Sequence, residues 1–404
     1  VLPADPGSLP RWPLYRAVLR GYRHLLRLSR LSLEQYLEWE QAALQRAHHQ
    51  RDRAAILEKA ELRGQIESWL ATSPAGSWVM PSTSGSTGEP LQLPMAIDEY
   101  GFGLAAVLHG FRINGLHWTD RVAHLCVPTT LVRRSLHEWF GLLSARKFDL
   151  RRPLHETWQQ LEQFQPHLLY GYPSHLQLLA DAVPARRAWR PRIVVSNGEL
   201  LTPRARQEIS LSFGTRVFDS YGAVELPRTA VECPAGRLHV TRGVAQVEVD
   251  PSTIDETGAG DLLLTSLHPR LFPLWRYRIG DRGVLESGSI CLCGQRDTIL
   301  RQLQGRVDDQ LRLPSGRRLS PRAISLLEMF PWIKQFQIVQ SQLHQLDILI
   351  RCDGALTDER SRHVLDLIRQ GLDEPQMAIQ VTAVDQIPIA ASGKRRAVIS
   401  RHVS

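Results

Sequence analysis

The sequence predicts an α/β protein: a large N-terminal domain of helices and mixed, partly parallel sheets, followed by a small α+β C-terminal domain. Three observations predict it. Helical and strand patterns alternate from residue 154 onward, a Ser/Gly/Thr-rich loop interrupts the chain at 81–90, and the last part of the chain carries its own strand and helix periodicities. A chain of 404 residues with 43% hydrophobic residues can bury one large core and, by length, a second smaller one.

The first eighty or so residues read as helical. Tyr15, Leu19, Tyr22 and Leu26 mark an apolar stripe, and Arg16, Arg20, Arg23, Arg27 and Arg30 occupy much of the remaining surface. A solvated face explains these arginines better than a membrane surface does, since no lipid anchor accompanies them. Ser32 and Gln35 form a capping box that opens a second helix through Tyr36, Leu37 and Trp39. No chemistry is assigned to these helices.

From Leu154, Trp158, Leu161 and Phe164 on one helical face, the chain passes to the run Leu168-Leu169-Tyr170. A helix then begins near Ser174, the run Ile193-Val194-Val195 follows, a helix comes after Thr202-Pro203, and the series ends in the run Val217-Phe218. This rhythm implies parallel strands, whose ligands lie beyond the carboxyl ends. The residues there are Gly171-Tyr172-Pro173-Ser174, Asn197-Gly198-Glu199 and Asp219-Ser220-Tyr221-Gly222-Ala223-Val224-Glu225. Tyr221 is suited to stack on a base and Glu225 to hold a divalent cation; ordinary strand-to-helix turns are the alternative. Further on, Leu346, Ile348 and Ile350 alternate along a strand, Val364, Leu365, Leu367 and Ile368 share a helix face, and a strand at Ile379–Val381 precedes a loop carrying Lys394.

Pro81-Ser82-Thr83-Ser84-Gly85-Ser86-Thr87-Gly88-Glu89-Pro90 has the composition of an oxyanion-wrapping loop, in which glycines admit close backbone approach and hydroxyls add donors. A flexible linker is the other reading. The net charge of +8, dominated by arginine, suits anionic ligands such as ATP, coenzyme A or an acidic carrier protein. It is too scattered to demand nucleic acid. No run approaches the ~20 apolar residues of a membrane span, and the N-terminus lacks a signal-peptide pattern, so a cytoplasmic location is expected. Among five cysteines, Cys233, Cys291 and Cys293 combine with His239 into a Cys3His set suited to a closed, structural zinc site. Buried free thiols or a disulfide are the alternatives. Cys126 and Cys352 read as core residues.

The loop at 84–90, Tyr221-Gly222-x-x-Glu225, Tyr277-Arg278-Ile279-Gly280-Asp281, Gly305-Arg306-Val307-Asp308 and Ser392-Gly393-Lys394 follow one another in the order seen in adenylate-forming ligases. Over roughly residues 80–400 the chain resembles the phenylacetate-coenzyme A ligase branch, which includes capsule-biosynthesis and coenzyme F390 synthetase-like proteins. The resemblance implies a large domain over 1–304, with 1–80 its helical N-terminal segment. It also implies a hinge at 305–309 centred on Asp308, and a mobile small domain over 310–404. Ser84, Gly85, Ser86, Thr87 and Gly88 would surround the ATP phosphates, and Glu199 would lie near the adenine. Asp219 and Tyr221, followed by Gly222, would frame that base, Glu225 would bind Mg2+, and Asp281 with Arg306 would hold the ribose. Lys394 would reach the substrate carboxylate and the α-phosphate, where a positioned ammonium offsets the repulsion between two anions.

The reaction implied has two halves: ATP and a carboxylic acid, taken as aromatic, give an acyl adenylate, and a thiol then displaces AMP. Coenzyme A is the expected thiol. The phosphopantetheine of an acyl carrier protein, or an amine acceptor, is the alternative. Tyr172, Pro173, Ser174, Asn197, Gly198 and Ala223 border the expected acid pocket, and the segment Leu311 to Pro321 with Arg312, Arg317 and Arg318 is placed along the thiol's approach. Two residues depart from the family pattern: Glu89 stands where a lysine is usual and Val224 where a threonine is usual. They raise a second alternative, a weakened protein that binds nucleotide or adenylate in a regulatory role.

Overall fold

The computed structural model describes residues 11–48, 52, 54–72, 78–81, 91–126, 143–149, 152–184, 188–306, 311–316, 318–319, 325–372, 374–388 and 396–400. Three helices come first, α1 (Arg11–Ser29), α2 (Leu33–His48) and α3 (Lys59–Thr72). The capping box forms: Gln35 N donates to Ser32 Oγ at 3.2 Å and Ser32 N to Gln35 Oε1 at 3.1 Å. The stripe expected on α1 is rotated. Tyr22, Leu25 and Leu28 are buried, whereas Leu19 is 55% exposed. The cause is close backbone packing against α4 (Ile97–Ile113), where a Cβ on Gly101 would lie 2.4 Å from that of Ala17. Small residues, Ala17 and Gly21, therefore decide which face turns inward.

A short pair, β1 (Trp78–Val79) and β2 (Met95–Ala96), precedes α4. The main sheet starts with β3 (Val122–Cys126) and β4 (Ala145–Asp149), then continues through α5 (Leu154–Phe164), β5 (Leu168–Gly171), α6 (Pro173–Asp181), β6 (Ile193–Asn197), α7 (Pro203–Phe213) and β7 (Val217–Tyr221). The order β4-β3-β5-β6-β7 is parallel throughout, as the alternating pattern predicts. Neither β3 nor β4 was expected. Beyond β7 the sheet turns antiparallel with β8 (Ala230–Glu232), β9 (Leu238–Val240), β10 (Ala245–Val249), β11 (Gly260–Ser266), β12 (Tyr277–Glu286) and β13 (Ile299–Arg306), giving eleven strands in all.

Side-chain alternation divides the parallel strands between two cores. Ala123, Leu125, Leu169 and Val194 pack under α5–α7, and Val122, Leu168, Ile193, Val195 and Phe218 pack with Phe111 of α4. A third cluster around Tyr221, Leu226, Leu264 and Tyr277 joins α4 to the antiparallel half.

The C-terminal domain begins with a small pair, β14 (Leu311–Arg312) and β15 (Arg318–Leu319). Its sheet, in the order β18-β17-β16-β19, comprises β16 (Ile333–Gln342), β17 (Gln345–Cys352), β18 (Ala378–Ala383) and β19 (Val398–Ser400), with α8 (Asp358–Leu372) between β17 and β18. Leu346, Ile348 and Ile350 are fully buried against Val364 and Ile368 of α8 in a core separate from the others. The two domains meet at α7. Arg204, held by Glu208 at 2.6 Å, donates to the carbonyls of Glu328 (2.7 Å), Phe330 (3.1 Å) and Ile333 (2.8 Å), and Arg351 pairs with Asp181 at 2.7 Å. No described helix is long and apolar enough to cross a membrane.

Candidate functional site

The carboxyl ends of β5, β6 and β7 bring the three expected turns together. Pro173 starts α6, and Ser174, 6% exposed, donates to Glu199 from both N and Oγ at 3.1 Å, so the β5 and β6 turns are tied to one another. Gly198 adopts φ +76, a conformation that glycine takes without strain. Asn197 stands opposite Ser220 on β7, and Tyr172 packs against the ring of His175 with centroids 4.9 Å apart.

Asp219 closes the β6–β7 end. Its Oδ1 accepts from Ser196 Oγ at 2.7 Å, and its backbone N donates to Glu232 at 2.8 Å. Burial pushes its carboxyl pKa up to about 6 against the opposing effects of Ser196 and Arg206. Tyr221 is 6% exposed, with its hydroxyl bonded to Asp281 at 2.9 Å. Arg306 reaches the other oxygen of Asp281 at 3.6 Å. Two widely separated motifs thus share one carboxylate, because β12 pairs Asp281 with Arg306 of β13. Gly222 has no room for a side chain: a Cβ there would stand 2.5 Å from the nitrogen of Arg228.

Glu225, 4% exposed, accepts from Tyr277 Oη at 3.4 Å. Its backbone carbonyl accepts from Arg270 Nη1, and Arg270 is ion-paired to Glu99 of α4 at 2.7 Å with both side chains nearly dry. Ala223 and Val224 pack against the cluster around Tyr221, so an apolar contact stands where the family pattern has a hydroxyl. Ser84, Gly85, Ser86, Thr87, Gly88, Glu89, Asp308, Arg317 and Lys394 lie outside the described residues. A cleft of about 590 Å3 between the domains is lined by Asp181, Lys334, Arg351 and Asp353, and none of the expected site residues borders it.

Sequence reasoning missed the buried arginines. Arg228, 4% exposed, lies between the rings of Phe111 (4.8 Å) and Tyr170 (4.9 Å) and contacts Ser220 Oγ through Nη1. Beside Tyr170 sits His124, whose pKa is held down at about 4 by burial and by Lys147 and Arg228. A loop arginine reads as solvated in a sequence, and only the packing of α4 over β7 encloses these two.

Cys233, His239, Cys291 and Cys293 converge from the end of β8, from β9 and from the turn after β12. Their ligand atoms all lie within 4.8 Å of one another. Cys233 and Cys291 sulfurs are 3.8 Å apart, and Cys293 Sγ is 3.5 Å from His239 Nε2. Thiolates at about 2.3 Å from a tetrahedral zinc stand about 3.8 Å apart, so the donor set and its spacing fit that ion.

Comparison with known proteins bears on the fold. Residues 319–401 match the model of the CapK C-terminal domain. Protein CapK of Staphylococcus aureus is 26% identical over 195 residues, which are 47% of this chain and 42% of that protein, so the match spans less than half of either. A 2-hydroxyisobutyryl-CoA ligase in its postadenylation state superposes with a TM-score of 0.68 at 18% identity, covering 99% of this chain and 94% of that one. The same ligase in its thioesterification state gives 0.54 at 19% identity, covering 98% and 91%. An anthranilate CoA ligase bound to anthranoyl-AMP gives 0.59 at 18% identity, covering 89% and 79%. The five ordered motifs and these superpositions agree: the chain has the fold of the adenylate-forming CoA ligases, and its separate C-terminal domain matches that of CapK.

Proposed function

We propose that the protein uses ATP to convert a carboxylic acid, an aromatic one, into an acyl adenylate and then passes the acyl group to a thiol, coenzyme A. The observation that carries this reading is the gathering of Glu199, Asp219, Tyr221 and Glu225 at and just beyond the ends of β6 and β7 with Asp281 of mid-β12, each already held by a donor from another element or by its own strand pairing. Asp219 and Tyr221 would border the adenine, Glu199 would lie beside it, and Asp281, steadied by Arg306, would accept the ribose hydroxyls. Ser84 to Gly88 would meet the phosphates with backbone NH groups and hydroxyls.

Glu225 would hold magnesium, which when bound offsets charge on the phosphates. Tyr277 donates to that carboxylate, and Arg270 holds the backbone carbonyl of the same residue. Lys394 would bring its ammonium to the acid's carboxylate and the α-phosphate during the first half-reaction and withdraw for the second, by rotation of the C-terminal domain about Asp308. Tyr172, Pro173, Ser174, Asn197, Gly198 and Ala223 would line the acid. Cys233, His239, Cys291 and Cys293 would hold a structural zinc that pins the β8–β9 and β12 turns together.

Exchange of labelled pyrophosphate into ATP, driven by a panel of carboxylic acids, tests the reading. At least one acid should drive exchange, and Lys394→Ala should lower it about a hundredfold while nucleotide binding persists. Exchange at the wild-type rate in that variant would remove Lys394 from the mechanism. Nucleotide binding without exchange from any acid would favour a regulatory protein. Coenzyme A, a phosphopantetheinylated carrier and an amine, added in turn, identify the acceptor.

A further inference from the structure

Arg228 is a buried cation with an unused edge. Of its guanidinium nitrogens, Nη1 meets Ser220 Oγ, whereas Nε and Nη2 have no hydrogen-bond partner among the described residues. Those two N–H groups lie side by side on one edge of the planar group, the fork that takes a carboxylate through two parallel bonds. No carboxylate among the described residues is ion-paired with it. The faces of Phe111 and Tyr170, at 4.8 and 4.9 Å, and the nearby Asp219 carboxylate offset its charge, yet none of them hydrogen-bonds its Nε–Nη2 edge. A buried fork left open on that edge calls for an acceptor that takes both N–H groups.

The position says which anion. Ser220 is on β7, opposite Asn197 of β6, and Tyr170 is the penultimate residue of β5, so the guanidinium lies on the α4 side of the strand ends. The turns expected to border the acid leave these same ends. Arg228 itself is reached through Gly222, whose missing Cβ admits its backbone. Phe111, Tyr170 and the neutral His124 add flat surfaces on either side.

We propose that Arg228 reads a second carboxylate at the far end of the acid, so that the substrate class is a dicarboxylic acid activated at one end only. This rests on the acid-activating function proposed above. Arg228 acts there as a specificity-determining residue, binding the carboxylate that does not react.

The test pairs acids of one shape that differ in the second carboxylate, benzoate against isophthalate and butyrate against glutarate, in pyrophosphate exchange and, separately, in thermal shift with acid alone. For at least one pair, the wild type should favour the diacid by about 10–100-fold in kcat/KM and be stabilised by it. Arg228→Met should lose that preference while turning over the monoacid within about threefold of the wild type. Arg228→Lys, which keeps the charge but lacks the fork, should fall between. Arg228→Met also removes the attraction to Asp219, so melting of the unliganded variant is measured beside its activity, and loss of the diacid preference counts only where monoacid turnover persists. Equal use of both acids by the wild type, or an equal loss on both in the variant, overturns the proposal. Should no acid drive exchange, the acid-activating reading falls, and the thermal shift still decides: a diacid shift abolished by Arg228→Met upholds the site, and no shift rejects it.

Discussion

Arg270→Met is the sharpest structural test of how the site is held. Arg270 and Glu99 pair at 2.7 Å with side chains 1% and 3% exposed, so removing the cation leaves a dry carboxylate with only backbone donors, the amide of Leu271 at 3.1 Å and the backbone of Ala96, among the described residues. Breaking such a pair from one side costs about 3–5 kcal/mol. Protonation of Glu99 caps that cost at about 1.4 kcal/mol per pH unit above an ordinary value near 4.3, hence about 3.7 kcal/mol at pH 7 and about 1 kcal/mol at pH 5. Burial already raises the Glu99 pKa while Arg270 opposes the rise. A raised carboxyl contributes its full stability below the ordinary value and loses it as pH rises through the folded one. The deficit of the variant should therefore grow from pH 5 to pH 7, reaching about 2–4 kcal/mol. Denaturant midpoints at constant slope measure it. Adding Glu99→Gln should recover most of the stability and abolish the pH dependence. Exchange activity should stay low, since the bond from Arg270 to the Glu225 carbonyl is still missing. A deficit independent of pH, or no recovery in the double variant, refutes the reasoning.

Three further outcomes are expected. Purified protein should carry about one zinc per chain by elemental analysis, and Cys293→Ser should lower both zinc content and stability; absence of zinc after growth with ample metal removes that proposal. Asp219, with its pKa raised to about 6, becomes ionised as pH passes that value. Adenosine, offering its amine as donor, should bind more tightly at pH 7 than at pH 5, with Asp219→Asn flattening the profile by calorimetry. Arg204→Ala removes three bonds to C-terminal carbonyls, about 2 kcal/mol after discounting for partial exposure and about thirtyfold in population. Small-angle scattering should register a changed domain arrangement, and adenylation should fall more than acyl transfer; unchanged scattering refutes the clasp.

The parts of this fold that were legible in the sequence share a short-range cause. The Ser32–Gln35 box, the apolar runs that became β5, β6 and β7, and the Leu346-Ile348-Ile350 alternation are each written within a few residues. The cysteines and His239 were legible for another reason: three thiols and an imidazole make a complete tetrahedral donor set, so a metal is one of the readings that predict their meeting across 58 residues. What escaped is decided by tertiary contact. β4 reads as polar because only Phe148 of its five residues is buried. Leu19 turned outward because Ala17 and Gly101 let two helices touch. Arg228 and Arg270 became interior residues only when α4 covered them.

Those two arginines divide the labour at one place in the fold. Arg270 is neutralised by Glu99 and spends another N–H on a backbone carbonyl, so its charge is silent and its effect is to fix the Glu225 main chain. Arg228, seven residues after Tyr221, feels Asp219 but is ion-paired to no described acid, and its Nε–Nη2 edge stays available to whatever occupies the strand ends. The connection between β7 and β8 thus holds a cation with an open edge, and that between β11 and β12 one that is spent on building the site. Exchanging their circumstances would separate the roles. An acid introduced beside Arg228, as in Ser220→Asp, should silence it as Glu99 silences Arg270, lowering dicarboxylate use about tenfold or more with monoacid use preserved. If Ser220→Asp left the preference intact, Arg228 would be a packing residue, and the acid's second end would have to be read elsewhere.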